Sequence, residues 1–368
     1  MNNVKNYSIK AIANVMVWSL LTLPGQVFAA PLGEDIESVD IDAERVSQFI
    51  SEADVNRESE KHADNAQFTK QQNNEQKHSV RENRRISLKR SAGWHSASSQ
   101  YIKVAIPDSA NGSIWLSRTN SAYGAKSFIV SLPSDAGNYD NAKVAADGSI
   151  VYTHLQQDTD VAVQSFDDST RILTVLNGTD SPSEYNYHIS IPTGGKIIKD
   201  DNGGILVLGN RGSLIGGFAT PWAVDRDGNP VPTHYEVREN TVVQVVEHLA
   251  NSNTHYPVVA DPWLYLDLIS SAKWNYKQGY GWTLAVSPTL WARSLMGVAI
   301  SYSVGVAGWN ELYSKYKNKG LKTNLVGMRD QYICHQQAVV TMFKSTWNLD
   351  EWRPNVGYWA TVKALCNP

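Results

Sequence analysis

Residues Ile172-Leu173-Thr174-Val175-Leu176-Asn177-Gly178 decide the fold class, because a short run of branched apolar side chains ends there in an Asn-Gly pair. Such a run is too short for a helix and suits a pleated surface, and Asn-Gly has the backbone freedom of a tight turn. Working outward, Tyr101-Ile102-Lys103-Val104-Ala105-Ile106, Ser127-Phe128-Ile129-Val130, Ile150-Val151-Tyr152 and Ile205-Leu206-Val207-Leu208 repeat the pattern. Asp147-Gly148, Gly203-Gly204 and Asp227-Gly228-Asn229-Pro230 stand as turns among them. The pattern predicts an antiparallel β-sandwich or meander over 93–262, its last hairpin pairing roughly 220–225 and 233–237 with 242–247. With 18 acids against 10 bases this β-domain carries −8, which argues against nucleic acid as a partner.

On the N-terminal side, residues 31–65 hold 11 acids and 3 bases, and 66–92 hold 2 acids and 7 bases. Little branched or aromatic side chain is present to offset the entropy of ordering, so 30–92 is expected to be a disordered charged linker or pro-region. Its basic end, Arg84-Arg85-Ile86-Ser87-Leu88-Lys89-Arg90, is either a solvated linker or a target for a trypsin-like protease. Before it, Lys5 and Lys10 precede an apolar stretch from Ala11 to Leu23, and Val27-Phe28-Ala29 suits a signal peptidase. The stretch contains Asn14 and Ser19 and ends at Pro24-Gly25, short of the roughly 20 residues a membrane span needs. Residues 1–29 therefore read as a signal peptide cleaved after Ala29, and the protein as secreted, extracellular or periplasmic. Two cysteines exclude a disulfide-dense scaffold and a four-thiolate zinc site. In an oxidising compartment Cys334 and Cys366 are expected to pair.

From Trp263 the composition changes. Residues 263–368 contain 8 of the 12 tryptophans, 8 of the 17 tyrosines, 11 bases and 5 acids. Ser287-Pro288 reads as a helix start, Leu290 to Lys319 as mainly helix that Gly297, Gly305 and Gly308 divide, and Gly320 as its end. Asp330 to Met342 and Asn355 to Leu365 read as two further helices. A Cys334–Cys366 bond would close a loop of about 31 residues and contribute on the order of 3 kcal/mol. The expected fold class is α+β: an N-terminal antiparallel β-sandwich or meander, then a small, mainly α-helical, disulfide-clamped C-terminal domain at 263–368.

Several segments of that domain resemble a known family: Gly281-Trp282-Thr283-Leu284-Ala285-Val286-Ser287-Pro288-Thr289-Leu290-Trp291, Gly308-Trp309-Asn310-Glu311-Leu312, Asp330-Gln331-Tyr332-Ile333-Cys334-His335, Trp347-Asn348-Leu349-Asp350-Glu351-Trp352-Arg353-Pro354 and Cys366-Asn367-Pro368. The match, over about 274–368, is to secreted bacterial proteins, common in actinobacteria, that carry a domain of unknown function. The stretch ending Tyr256-Pro257-Val258-Val259-Ala260-Asp261-Pro262 is similar to the leader domain that precedes such modules. The resemblance implies secretion, the Cys334–Cys366 disulfide and a two-part layout, and it implies no activity.

Catalytic chemistry has few candidates. His335 is the single histidine of the module, and adjacent helical residues point about 100° apart, so a Cys334–His335 pair is disfavoured and no metal site or cofactor is expected. Glu311 and Asp330 are the candidate carboxylates for a cell-wall hydrolase, with Asp350 and Glu351 nearby as helix-start charges; the simplest reading of Glu311 itself is a solvated helical residue. Lys315, Lys317, Lys319 and Lys322 beside Trp309, Tyr313 and Tyr316 form the candidate binding edge for an anionic lipid or cell-wall polymer. Three functions follow: a non-catalytic envelope-binding or adhesion module, an antimicrobial or toxin-like effector, and a carboxylate hydrolase. In the second, the acidic β-domain docks on the basic module and masks it.

Overall fold

The computed structural model describes residues 40–65, 85–119, 127–134, 141–199 and 203–368, without the side chains of 56–65, Arg211 and Leu290. The expected signal peptide and Arg84 lie outside the described residues.

The run Ile172-Leu173-Thr174-Val175-Leu176 lies in the strand Ser169–Leu176, buried along its whole length. It pairs antiparallel with Thr159–Ser165 on one side, and with Val258–Ala260 and Trp263–Tyr265 on the other. These strands belong to a ten-stranded sheet. A five-stranded sheet running from Lys89–Ser91 to Phe128–Ser131 shares a core with its inner face, where Ile172, Val163, Tyr152, Val104, Leu116 and Phe128 meet. A three-stranded sheet, Glu184–His188, Thr241–Val246 and Thr233–Arg238, adds Tyr185, Tyr187 and Tyr235 to that core. Every ladder among the described strands is antiparallel, and the fold is β-rich with a few C-terminal helices.

The stretch expected to be a disordered linker contains helix α1, Ile41–Asn65. Asp40 Oδ1 accepts from the amides of Asp42 and Ala43 at 3.1 Å each, capping its start. Ala43, Val46, Ile50 and Ala53 recur at helical spacing and pack on Val151, Ala162, Leu173, Val175, Val224 and Val259, the second face of the ten-stranded sheet. Arg171 Nη1 donates to Asp54 Oδ1 at 2.8 Å, and Lys143 lies 3.0 Å from Asp40. The basic run is also built in: Arg85 bridges to Phe166 and pairs with Asp147 at 3.4 Å, and Arg90 pairs with Asp108 at 2.6 Å.

Two turn expectations are corrected. Asn177-Gly178 ends a strand without making a hairpin: Asn177 Nδ2 donates to Asp160 and the chain leaves for another sheet, while the tight turn falls at Gln157-Asp158, where Asp158 has φ +48°. Ala223–Val224 pairs with Val258–Ala260 rather than with 242–247; Thr233–Arg238 does pair with Thr241–Val246.

The domain boundary also moves. Trp263–Tyr265 is a strand of the β-domain sheet, so the C-terminal module starts at Ile269. The module is not mainly helical at its start: Ile269–Lys277, Gly281–Pro288 and Trp347–Asp350 form a three-stranded sheet. Alternation of Ala272, Trp274 and Tyr276, then Trp282, Leu284 and Val286, has the period of two that a hairpin requires. On its inner face pack α3 (Ser301–Tyr316) and α4 (Leu325–Gln337), while α2 (Leu290–Ser294) turns Trp291 and Ala292 to the β-domain and a short α5 (Tyr358–Lys363) follows the last strand. Thr289, not Ser287, caps α2, accepting from Ala292 at 3.1 Å. Gly305 and Gly308 do not interrupt α3. They let α4 approach: a Cβ at Gly308 would lie 2.3 Å from the Tyr332 hydroxyl. Cys334 in α4 is bonded to Cys366 just past α5, with Cα atoms 5.4 Å apart, which fits an extracellular protein.

Candidate functional site

Glu311 and Lys315, two of the predicted residues, sit where the β-domain strands meet the C-terminal module. Trp291 is buried against Leu206, Leu208 and Leu214 of the β-domain, and a Cβ at Gly217 would lie 2.4 Å from its ring. Phe166, Trp263, Tyr265 and Trp291 stack in sequence at 5.1, 6.0 and 5.7 Å, joining the domains by a continuous aromatic ladder.

Beside that ladder, Glu311 is buried rather than solvated. Its Oε2 accepts from the Leu268 amide at 2.8 Å and its Oε1 from the Ile269 amide at 3.1 Å, while Lys315 Nζ donates to Oε1 at 2.7 Å. Lys315 also lies 3.1 Å from Asp267, which takes Arg118 Nε at 2.6 Å. Two cations and two anions thus close a network around the point where the chain crosses into the module. Burial raises the Glu311 carboxyl, with Asp267 adding to the effect and Lys315 opposing it. Burial works the same way on Asp267, but Lys315 and Arg118 outweigh it and hold that carboxyl below its ordinary value.

The other candidates are dispersed. Asp330 is buried, with Arg329 at 3.4 Å, and burial raises its carboxyl against that cation. Trp309 is core, packed with Tyr332, Trp347 and Leu349; Tyr313 and Tyr316 lie half-buried at its edge. The Tyr316 hydroxyl donates to the Ala272 carbonyl at 3.0 Å. The apolar run Leu295 to Trp309 likewise turns Leu295, Val304 and Ala307 inward. Lys319 and Lys322 are exposed and Lys317 is half-buried; Lys319 Nζ stands 5.3 Å above the Tyr316 ring. The expected edge is therefore split, with Lys315 inside the junction and the aromatic members mostly in the core. Asp350 ends a strand instead of starting a helix, accepting from Thr283 Oγ1 at 2.5 Å and Arg353 Nε at 2.6 Å. His335 lies against Trp347 at 6.2 Å, nearly parallel, and burial lowers it to about 4. Among the described residues no group of three or more His, Cys, Asp or Glu is placed to hold a metal.

A different set of side chains does converge, at the tip of the hairpin Ile269–Lys277/Gly281–Pro288. Tyr276 and Trp282 face each other across the register and meet edge to face at 5.2 Å. They carry the inward-facing row of aromatics past the last helix that would cover them, and are 63% and 47% exposed. Around the turn, Tyr280, 58% exposed, meets Trp352 at 4.9 Å. Gly281 at φ +132° brings the strand close to Trp352, where a Cβ would lie 3.3 Å from the indole side chain. Lys277 Nζ stands 4.5 Å above Tyr280 and 5.7 Å above Trp352, and the Arg353 guanidinium lies 4.5 Å above Trp352. Arg353 is itself held by Asp350 and by the carbonyls of Asn367 and Pro368 at 3.0 and 2.9 Å. The Trp352 indole N–H, shielded from solvent, meets no acceptor among the described residues. Two ring pairs thus stand at the tip, Tyr276 with Trp282 and Tyr280 with Trp352, and both cations stack on the second pair. Sequence reasoning missed them, although the alternation of aromatics about Gly279 and Gly281 was the available signal.

Residues 269–368, just over a quarter of the chain, match a family model described as a protein of unknown function (DUF2599). The match begins at the strand where the structure places the start of the module. No curated protein and no solved structure matches the chain.

Proposed function

We propose that residues 269–368 are a non-catalytic binding module of an exported protein, and that the hairpin tip takes an anionic polymer of the bacterial envelope. The observation that carries this reading is the aromatic tip itself: Tyr276, Trp282 and Tyr280 are exposed, and Lys277 and Arg353 stack on Tyr280 and the half-buried Trp352 beside it. Flat aromatic faces suit sugar rings, and neighbouring cations suit the phosphate or carboxylate groups between them. The carboxylates first considered for hydrolysis support the same reading by their engagement elsewhere: Glu311 holds the junction with the β-domain and Asp330 is buried beside Arg329. The β-domain leaves the tip exposed, so it is assigned an orienting role rather than a masking one.

The test is a titration of the oxidised chain with purified anionic wall polymer, followed by tryptophan fluorescence. Saturable quenching that Lys277→Glu weakens and added salt reduces supports the proposal. A polymer response unchanged in Lys277→Glu removes it.

A further inference from the structure

The antiparallel packing of α3 on α4, fixed by Gly305 against Ile333 and Gly308 against Tyr332, puts the start of α3 beside the end of α4. At that end a Cβ on Gly297 would lie 2.3 Å from Val339, and α5 is drawn in by the disulfide and by Tyr302 against Tyr358 at 5.5 Å. The hairpin tip lies toward the other end of α3, whose 16 residues span roughly 24 Å. Large apolar side chains nevertheless point outward here. Val340 and Leu365 are each 81% exposed and Trp359 is 76% exposed, with Val339 and Phe343 beside them also exposed.

The charge around this end has one sign. No Asp or Glu occurs from Gln331 to Leu349 or from Trp352 to Pro368. Asp330, the acid of α4, is turned inside beside Arg329. Lys344 and Lys363 are exposed, and Arg293 donates to the carbonyls of Met342 and Ser345 at 2.5 and 3.1 Å, bracing the apolar turn. We infer that this end is a membrane-contacting surface, on which Val340, Trp359 and Leu365 enter the headgroup region of an anionic bilayer while Lys344 and Lys363 meet its phosphates. A second copy of the chain fits less well, because a two-fold contact would set the same lysines against each other. A polysaccharide fits less well, because Val and Leu offer no flat face for a sugar. No described helix is long and apolar enough to cross a membrane, so the contact is a shallow, interfacial one. The inference is independent of the hairpin-tip reading.

The oxidised full chain is sedimented with vesicles of phosphatidylcholine alone and of phosphatidylcholine mixed with phosphatidylglycerol. Binding is expected to the mixed vesicles and to weaken in salt. Val340→Asp and Trp359→Ser, both at exposed positions, should each reduce it about tenfold while leaving the unfolding midpoint unchanged. Trp282→Ala at the hairpin tip should bind vesicles as the wild type does. The inference is overturned if the wild type stays in the supernatant with mixed vesicles, or if both outward-facing variants bind undiminished. It is equally overturned if ultracentrifugation shows that Val340→Asp turns a dimer into a monomer, since a second copy would then cover this end.

Discussion

Replacing Glu311 by alanine separates a structural carboxylate from a catalytic one. In the structure this side chain satisfies the amides of Leu268 and Ile269 and neutralises Lys315, all at a buried junction. Removing one partner of a buried ion pair costs about 3–5 kcal/mol, and each orphaned buried amide about 1–3 kcal/mol; the two effects overlap, so a loss of about 4 kcal/mol is expected. Glu311→Gln keeps one oxygen for one of the two amides but sets its NH2, which cannot accept, against the other, and should cost less than alanine, about 2–3 kcal/mol. Adding Lys315→Met to Glu311→Ala should recover part of the loss, because no uncompensated ammonium is then left inside. Guanidinium unfolding followed by near-ultraviolet circular dichroism measures the loss, and hydrogen exchange at the Leu268 and Ile269 amides localises it. A midpoint within error of wild type for Glu311→Ala, or no recovery in the double variant, would refute the reasoning.

Two further outcomes follow from the module's interior. Reducing the Cys334–Cys366 bond, whose ends are 32 positions apart, should lower stability by about 3–4 kcal/mol on the chain-entropy estimate, read from unfolding curves with and without reductant. His335 is held neutral by burial, its value lowered from 6.5 to about 4. Its contribution is therefore present above pH 6.5 and lost as pH falls toward 4, by at most about 3 kcal/mol. His335→Leu should flatten that part of the stability profile between pH 7 and pH 4.5, and an unchanged slope in the variant would exclude the histidine as its source.

The strands Ile102–Pro107, Phe128–Ser131, Ile150–Gln156, Ser169–Leu176 and Ile205–Leu208 were legible because each carries its own apolar run, whereas Lys89–Ser91 and Glu184–His188 carry none; Thr233–Arg238 with Thr241–Val246 even disclosed their pairing. Helix α1 was not, because its buried stripe is half alanine, Ala43 and Ala53 with Val46 and Ile50, set in an acidic sequence. Such a stripe has meaning only against the second face of the ten-stranded sheet, which no local pattern reveals. The same two-sided burial explains why Ser169–Leu176 reads as continuous apolar sequence rather than strict alternation. Trp263 and Tyr265 misled the boundary, since aromatic composition grouped them with the module while hydrogen bonds place them in the β-domain. Glu311 looked solvated because its partners, two amides some forty residues earlier, come together only in the fold. At the candidate site the lysine-rich helix end drew attention through its charge, whereas the hairpin tip owes its character to strand register and to Trp352 arriving from a distant segment.

The proposed function places binding at the hairpin tip. Retention of the chain on purified bacterial walls, before and after their anionic polymers are stripped away, tests it with a Tyr280→Ala/Trp282→Ala variant whose disulfide and unfolding midpoint match the wild type. Wild-type retention is expected to depend on those polymers and to drop at least about tenfold in the variant, as loss of two exposed stacking rings implies. Equal retention of both proteins, or retention indifferent to stripping, would contradict the proposed function.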